Sequence, residues 1–181
     1  MGTRNSTLVK INHEYVVAQY GQWDGYPEGQ GKTILETLLS CDLQELREKC
    51  YLVKQINEQK MKNIYEQAKW ETKDKSEGSF MSMETANLIK SMYPQLSRDC
   101  GGEILREILN GAREINRDVD FAMNDSTFCE WSYVVDFDEE KFEVYKGTAR
   151  PDNLLVSYDL NSLPTVEQFL QTCEELSGVE D

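Results

Sequence analysis

Two runs rich in β-branched and aromatic residues, 6–11 and 15–20, open the apolar pattern of the chain. They are separated only by Asn12-His13-Glu14, so the spacing predicts a β-hairpin, with Asn12 suited to the left-handed backbone of a tight turn. A second pair of strands is predicted at 128–137 (FCEWSYVVDF) and 142–146 (FEVYK), around the turn Asp138-Glu139-Glu140-Lys141. Its alternation places Trp131, Tyr133 and Val135 on one face and Ser132 and Val134 on the other. A further short strand is expected at 156–160.

Between and after these strands the apolar period becomes helical. Residues 33–40 predict a short helix with Ile34, Leu35, Leu38 and Leu39 on its apolar side. Asp42, with Glu45 three residues later, predicts a capped helix start. Leu43, Leu46, Cys50 and Val53 follow at helical spacing, and the pattern continues through Ile56, Met61, Ile64 and Ala68, as one long helix would. The polar, charge-alternating stretch at about 69–80 is expected to be a mobile loop. Helices are predicted at 83–92, ended by Pro94, and at 102–109, stopped by Gly111. Pro164 and Thr165 open a final helix with Val166, Phe169, Leu170 and Cys173 as its buried stripe. These elements imply an α+β fold in one domain, 1–181: an antiparallel sheet built from the N-terminal and C-terminal hairpins, packed against several helices.

One connection is unusual in composition. Residues 19–33 (QYGQWDGYPEGQGKT) hold four of the chain's 11 glycines, one of its 4 prolines and three aromatics. Such density predicts a loop of defined shape between strand and helix. Its end, Gly31-Lys32-Thr33, resembles a phosphate-binding loop. That motif requires glycine where Tyr26 stands, however, and Glu28 places negative charge where phosphates would lie.

Charge sharpens the picture. Residues 1–113 carry 15 Lys and Arg against 16 Asp and Glu, a net of −1; residues 114–181 carry 4 against 17, a net of −13, which together give −14. Such a field repels nucleic acid and anionic membrane and attracts cationic partners. Asp136, Asp138, Glu139, Glu140 and Glu143 concentrate around one predicted turn and form the leading partner-binding face. Glu174, Glu175, Glu180 and Asp181 form a second acidic group. A solvated turn and a solvated helix end are the plain structural readings of the two.

The remaining chemistry is sparse. The single histidine, His13, lies in a turn, which removes the usual dyads and histidine-based zinc sites. The five cysteines, 41, 50, 100, 129 and 173, contain no C-x-x-C pair, and with no leader segment they are expected to be reduced, buried thiols in the cytosol. No run approaches the roughly 18 apolar residues of a membrane span. No metal and no cofactor are implied. The start Met1-Gly2-x-x-x-Ser6 fits an acylation pattern, but one acyl chain anchors an acidic protein poorly.

The start MGTR, the segment QYGQWDGYPEGQG (residues 19–31) and the hairpin FCEWSYVVDFDEEKFEVYKG (residues 128–147) resemble a family of small phage and gut-bacterial proteins. Some members are type II-A anti-CRISPR inhibitors of the Cas-nine effector nuclease. The resemblance implies a non-enzymatic inhibitor acting in the bacterial host cytosol, with a guide-RNA-loaded type II nuclease as its partner. It brings no catalytic residues. An RNA-guided nuclease holds nucleic acid in a positively charged channel, which clustered carboxylates could occupy.

Two other classes stay open. An enzyme would use Asp24, Tyr26 and Glu28 in the Gly-rich loop near Arg4, with paired carboxylates as acid and base. A regulatory or structural module could form a homodimer, with Trp23 and Tyr26 as aromatic anchors. A direct nucleic-acid contact through Lys54, Lys60, Lys62, Lys69, Lys73 and Lys75 is opposed by the acids interleaved with them.

Overall fold

The computed structural model describes residues 2–78 and 80–178. Its centre is a five-stranded sheet of order β2-β1-β5-β6-β7. The strands are β1 (Asn5–Ile11), β2 (Glu14–Gly21), β5 (Trp131–Asp136), β6 (Lys141–Tyr145) and β7 (Leu154–Asp159); β3 (Lys54–Gln55) and β4 (Glu114–Ile115) form a separate small parallel pair. Among the described residues seven α-helices complete the fold: α1 (Lys32–Ser40), α2 (Leu43–Leu52), α3 (Glu58–Glu71), α4 (Met83–Met92), α5 (Ile104–Leu109), α6 (Val119–Asn124) and α7 (Val166–Ser177). The protein is α+β, as the pattern predicts.

Both predicted hairpins form. The first turns tightly at Asn12 and His13, whose φ values of 53° and 64° are left-handed, so Ile11 pairs directly with Glu14. A bulge at Val16 then shifts the register, pairing Lys10 with Tyr15 and Val9 with Val17. The second hairpin pairs β5 with β6, from Ser132↔Tyr145 to Asp136↔Lys141. The two hairpins join through a parallel pairing of β1 with β5, from Asn5↔Trp131 to Lys10↔Asp136. The sheet is therefore mixed at its centre rather than antiparallel throughout. Parallel neighbours need a long crossover, and here the helices between Lys32 and Leu109 provide it.

The predicted alternation in β5 sorts the two faces. Trp131, Tyr133 and Val135 join the main core with Val9, Val17, Phe142, Val144 and the buried sides of α1, α2, α5 and α7. Val134 joins a smaller cluster with Leu8, Ala18, Tyr145, Ala122 and Ala149 on the opposite face. There α6 packs mostly on the β1–β2 side, where Phe121 meets Tyr20 edge-on at 4.8 Å.

Some helical expectations shift. Leu39 is exposed, and Thr37 takes the inward position beside Ile34, Leu35 and Leu38. The long helix expected from Leu43 to Ala68 breaks at Val53: Lys54 and Ile56 donate to the carbonyls of Arg113 and Ile115, and Asn57 caps a new helix by accepting from Gln59 and Lys60. A tertiary strand pair outweighs the continued helical period there. The expected loop at 69–80 starts late, because α3 runs through Glu71. Asp74 then accepts the amides of Ser76 and Ser82 and the hydroxyls of Ser76 and Thr85, tying the segment to the start of α4. Four hydrogen bonds to the charged form hold the Asp74 carboxyl well below the usual carboxylate range.

The cap at Asp42 forms as predicted, and the final helix opens at Thr165, which turns out to be its cap. Asp42 accepts from the amides of Gln44 and Glu45, and Thr165 makes a reciprocal capping box with Gln168. Among the described residues no helix is long and apolar enough to cross a membrane.

Candidate functional site

Two groups of candidate residues exist, and the sheet separates them. The Gly-rich loop leaves β2 at Gly21, beside Asn5 and Trp131, while the acidic turn follows Asp136, beside Lys10. Five residue steps along β1 separate those levels, about 17 Å at 3.3 Å per residue. The loop residues Trp23, Asp24, Tyr26 and Glu28 thus stand at one end of the sheet and the hairpin acids at the other.

The loop has a defined shape, and its backbone explains why the sequence needs glycine. Pro27–Gly31 forms a single π-helical turn that leads straight into α1. Asp24 is left-handed at φ 54° and its carbonyl accepts from Gln30 at 2.8 Å. A Cβ on Gly29 would lie 2.2 Å from that carbonyl oxygen, and one on Gly31 would lie 2.9 Å from the Tyr133 ring. Buried Tyr133 holds the loop from below, its hydroxyl donating to the Gly25 carbonyl at 2.6 Å. Trp23 is 44% exposed and its indole N–H donates to Asp99 at 2.9 Å. Tyr26 is 49% exposed, and with Glu28 it borders an open cleft of about 540 Å3 against Trp131, Cys173 and Glu174. The Arg4 guanidinium lies over the Phe128 ring at 5.1 Å. Among the described residues it makes no ion pair with Asp24 or Glu28.

At the other end the five hairpin carboxylates divide by environment. Asp136 is only 5% exposed, and one of its oxygens accepts the amides of Asp138 and Glu139 at 2.9 and 3.0 Å, shaping the turn. Asp138 reaches across to the first hairpin and accepts from Asn12 and His13. Those two acids hold the turn. Glu139 and Glu140 project into solvent at its tip, and Glu140 is left-handed at φ 55°. Glu143, half-buried on β6, accepts the Tyr145 hydroxyl at 2.8 Å. Burial, and then the Glu143 carboxylate, push the Tyr145 phenol up, so it stays a donor.

Asp136, Glu139 and Glu143 face a common open cleft of about 520 Å3 on the less covered face of the sheet, with Lys10, Tyr15 and Tyr145 among its other walls. Lys10 lies 5.7 Å from the centre of the Tyr15 ring. Lys10 and Tyr15 carry no signal in the local sequence, because the β1–β5 pairing alone brings them to the acidic strand. Of the second acidic group, Glu174 and Glu175 lie in the last turns of α7, and Glu180 and Asp181 lie outside the described residues. Met1 of the MGTR start lies outside them as well.

No group of three or more His, Cys, Asp or Glu among the described residues is placed to hold a metal ion. Comparison with protein-family models, with curated proteins and with solved structures gives no match for this chain.

Proposed function

We propose that this chain is a non-enzymatic, phage-type anti-CRISPR protein that binds and inhibits a type II CRISPR RNA-guided DNA endonuclease. The observation that carries the reading is spatial. The sheet order puts β5, β6 and β7 side by side with α7 packed on them, so the acids of these four elements and of the β5–β6 turn share one half of the sheet, while Asp118 and Asp120 of the same acidic third accompany α6 on the β1–β2 half. The exposed carboxylates of Glu139 and Glu140 stand at a corner of that side, on a turn that Asp136 and Asp138 keep in shape. A fixed array of negative charge can compete for a cationic nucleic-acid channel, and its association would be fast and salt-sensitive. The resemblance of residues 19–31 and 128–147 to phage proteins with such members supports the same reading.

A DNA-cleavage assay tests it, with this protein titrated into a guide-loaded type II effector nuclease at low and moderate salt and binding followed in parallel. Inhibition near stoichiometry that weakens with salt is the expected result. Absence of both inhibition and binding across several orthologues would remove the proposal. The exposed, hydrogen-bonded Trp23 and neighbouring Tyr26 favour a second reading, a homodimeric interaction module. It predicts a concentration-dependent mass that Trp23→Ala abolishes.

A further inference from the structure

The two edges of the sheet are treated differently. Along β2 the outward groups are engaged: the Arg117 side chain donates to the Val16 carbonyl at 2.7 Å, and the Asp118 amide donates to the Ala18 carbonyl at 2.8 Å. Just past the strand, Gln22 donates to the Arg98 carbonyl at 3.0 Å. The other edge is β7.

The phase of the β6–β7 ladder follows from one bond. The Leu160 amide donates to the Glu140 carbonyl at 2.9 Å, one step beyond the pairing Lys141↔Asp159. In an antiparallel ladder bonded and non-bonded pairs alternate, so Phe142↔Tyr158 and Val144↔Val156 exchange hydrogen bonds, while Lys141↔Asp159 and Glu143↔Ser157 do not. The N–H and C=O of Ser157 and the N–H of Asp159 therefore point away from the sheet. Among the described residues none of these three groups has a protein partner, whereas the Asp159 carbonyl accepts from Ser162 at 3.0 Å. Ser157 and Asp159 are both exposed. An irregularity at Leu155 guards the start of the strand and the Asp159 carboxylate its end, but from Val156 to Tyr158 it carries no charge, proline or bulge.

From these observations we infer that β7 is a docking edge that takes an extended protein segment of alternating basic and apolar residues as a sixth strand. Alternation sets the chemistry of that segment. Ser157 and Asp159 stand on the less covered face, across from Glu143 and Lys141, while Val156 and Tyr158 lean on the main core. An added strand would place every second side chain beside the acids and the others against the apolar border. The surroundings favour cations: from Gly147 to Gly178 the single basic residue is Arg150, against Asp152, Asp159, Glu167, Glu174 and Glu175, although Lys141 across the ladder pairs with Asp159 at 3.9 Å and offsets part of its charge. Arg150 is itself engaged by the Met123 carbonyl and the Asn124 side chain. A second copy of this chain would bring like charges edge to edge, so the occupant is a basic partner. The Glu139–Glu140 corner continues the edge, since Glu140 is bonded to Leu160 at the end of β7.

The inference rests on the acidic side being the docking side, and it is independent of which nuclease is bound. The experiment uses a short synthetic peptide of alternating lysine and valine, with a glutamate–valine peptide as control, against the full chain. Amide exchange should slow by about tenfold or more at Ser157 and Asp159 with the basic peptide only. Ser157→Pro removes the outward N–H without touching a β6 bond, and it should abolish binding, while Ser157→Ala binds as the wild type does. Failure of the basic peptide to bind, binding without protection at those two amides, or unchanged binding by a folded Ser157→Pro variant would overturn the inference. The wild-type exchange pattern decides the matter even where the proline variant does not fold. Protection by the peptide without any nuclease inhibition would overturn the nuclease proposal alone and leave the docking edge standing.

Discussion

The carboxylate of Asp138 accepts the backbone N–H of His13 at 2.7 Å through one oxygen and that of Asn12 at 2.8 Å through the other. The turn of the second hairpin thereby clamps the turn of the first, although the two lie far apart in sequence. Left-handed residues expose adjacent amides on one side, and a carboxylate satisfies both at once. Asp138→Ala should therefore destabilise the fold by roughly 1 kcal/mol, a modest cost because the site is partly solvated. The His13 amide bond, helped by that of Asn12, holds the Asp138 carboxyl below its ordinary value of 3.8. A depressed carboxyl contributes stability that is present above the unfolded value and lost as pH falls through the folded one. Thermal melts should thus show wild type and Asp138→Ala converging below about pH 4.

The Gly-rich loop makes a steric prediction. Gly31→Ala places a methyl group 2.9 Å from the Tyr133 ring and 3.1 Å from the tip of Phe169, inside the main core. Neither ring has room to retreat, so a loss of about 1–3 kcal/mol is expected in denaturant unfolding. Tyr133→Phe takes away the donor to the Gly25 carbonyl and should cost about 1–2 kcal/mol. An unchanged midpoint for both variants would mean that the loop is not seated on Tyr133.

Burial pushes four thiols upward: those of Cys50, Cys100 and Cys173 to about 12 and that of Cys129 to about 11. Cys41 is raised less and is only partly buried. Only the thiolate reacts, so a thiol reagent at neutral pH should label Cys41 first and the other four on unfolding. The same shifts have a consequence at high pH. A group whose folded value is raised contributes stability below its unfolded value and loses it as pH rises. Stability should therefore decline from about pH 9 upward, the ordinary thiol value. A mass-resolved labelling time course and an alkaline series of melts check the two parts.

Much of the fold is local and so is readable from the chain. Asn12 in its turn, Asp42 and Thr165 at helix starts, and the alternation Trp131, Tyr133, Val135 each depend on neighbours within a few residues. What stays hidden is long-range. The break after Val53 exists because Glu114 and Ile115 offer a second strand, and nothing between Leu43 and Ala68 announces it. Helix α6 (VDFAMN) buries only Phe121 and Ala122, two adjacent positions that set no helical period. The candidate site divides the same way. The acids of the second hairpin are visible as a run, but their division into turn-shaping Asp136 and Asp138 and solvent-facing Glu139 and Glu140 depends on tertiary hydrogen bonds. Likewise the outward Ser157 amide follows from ladder phase, which no composition reveals.

That division gives the sharpest separation of fold from function. Glu139 and Glu140 are exposed and no other described residue bonds to their carboxylates, so Glu139→Lys with Glu140→Lys should change stability by no more than about 0.5 kcal/mol. The same double change replaces two negative charges by two positive ones at the corner that continues the β7 edge. Electrostatic attraction to a cationic surface should fall most at low salt, where screening is weakest, and the effect should shrink as salt rises. Asp138→Ala acts the other way, lowering stability while leaving both exposed carboxylates in place. If the acidic corner is the docking surface, the double reversal raises the concentration needed to inhibit the nuclease by about tenfold or more at low salt. Asp138→Ala, which removes one charge and one clamp of the turn, then weakens inhibition less than the double reversal does at temperatures where it remains folded. Equal inhibition by the double reversal and the wild type, in a protein with an unchanged melt, would place the docking surface elsewhere on the molecule.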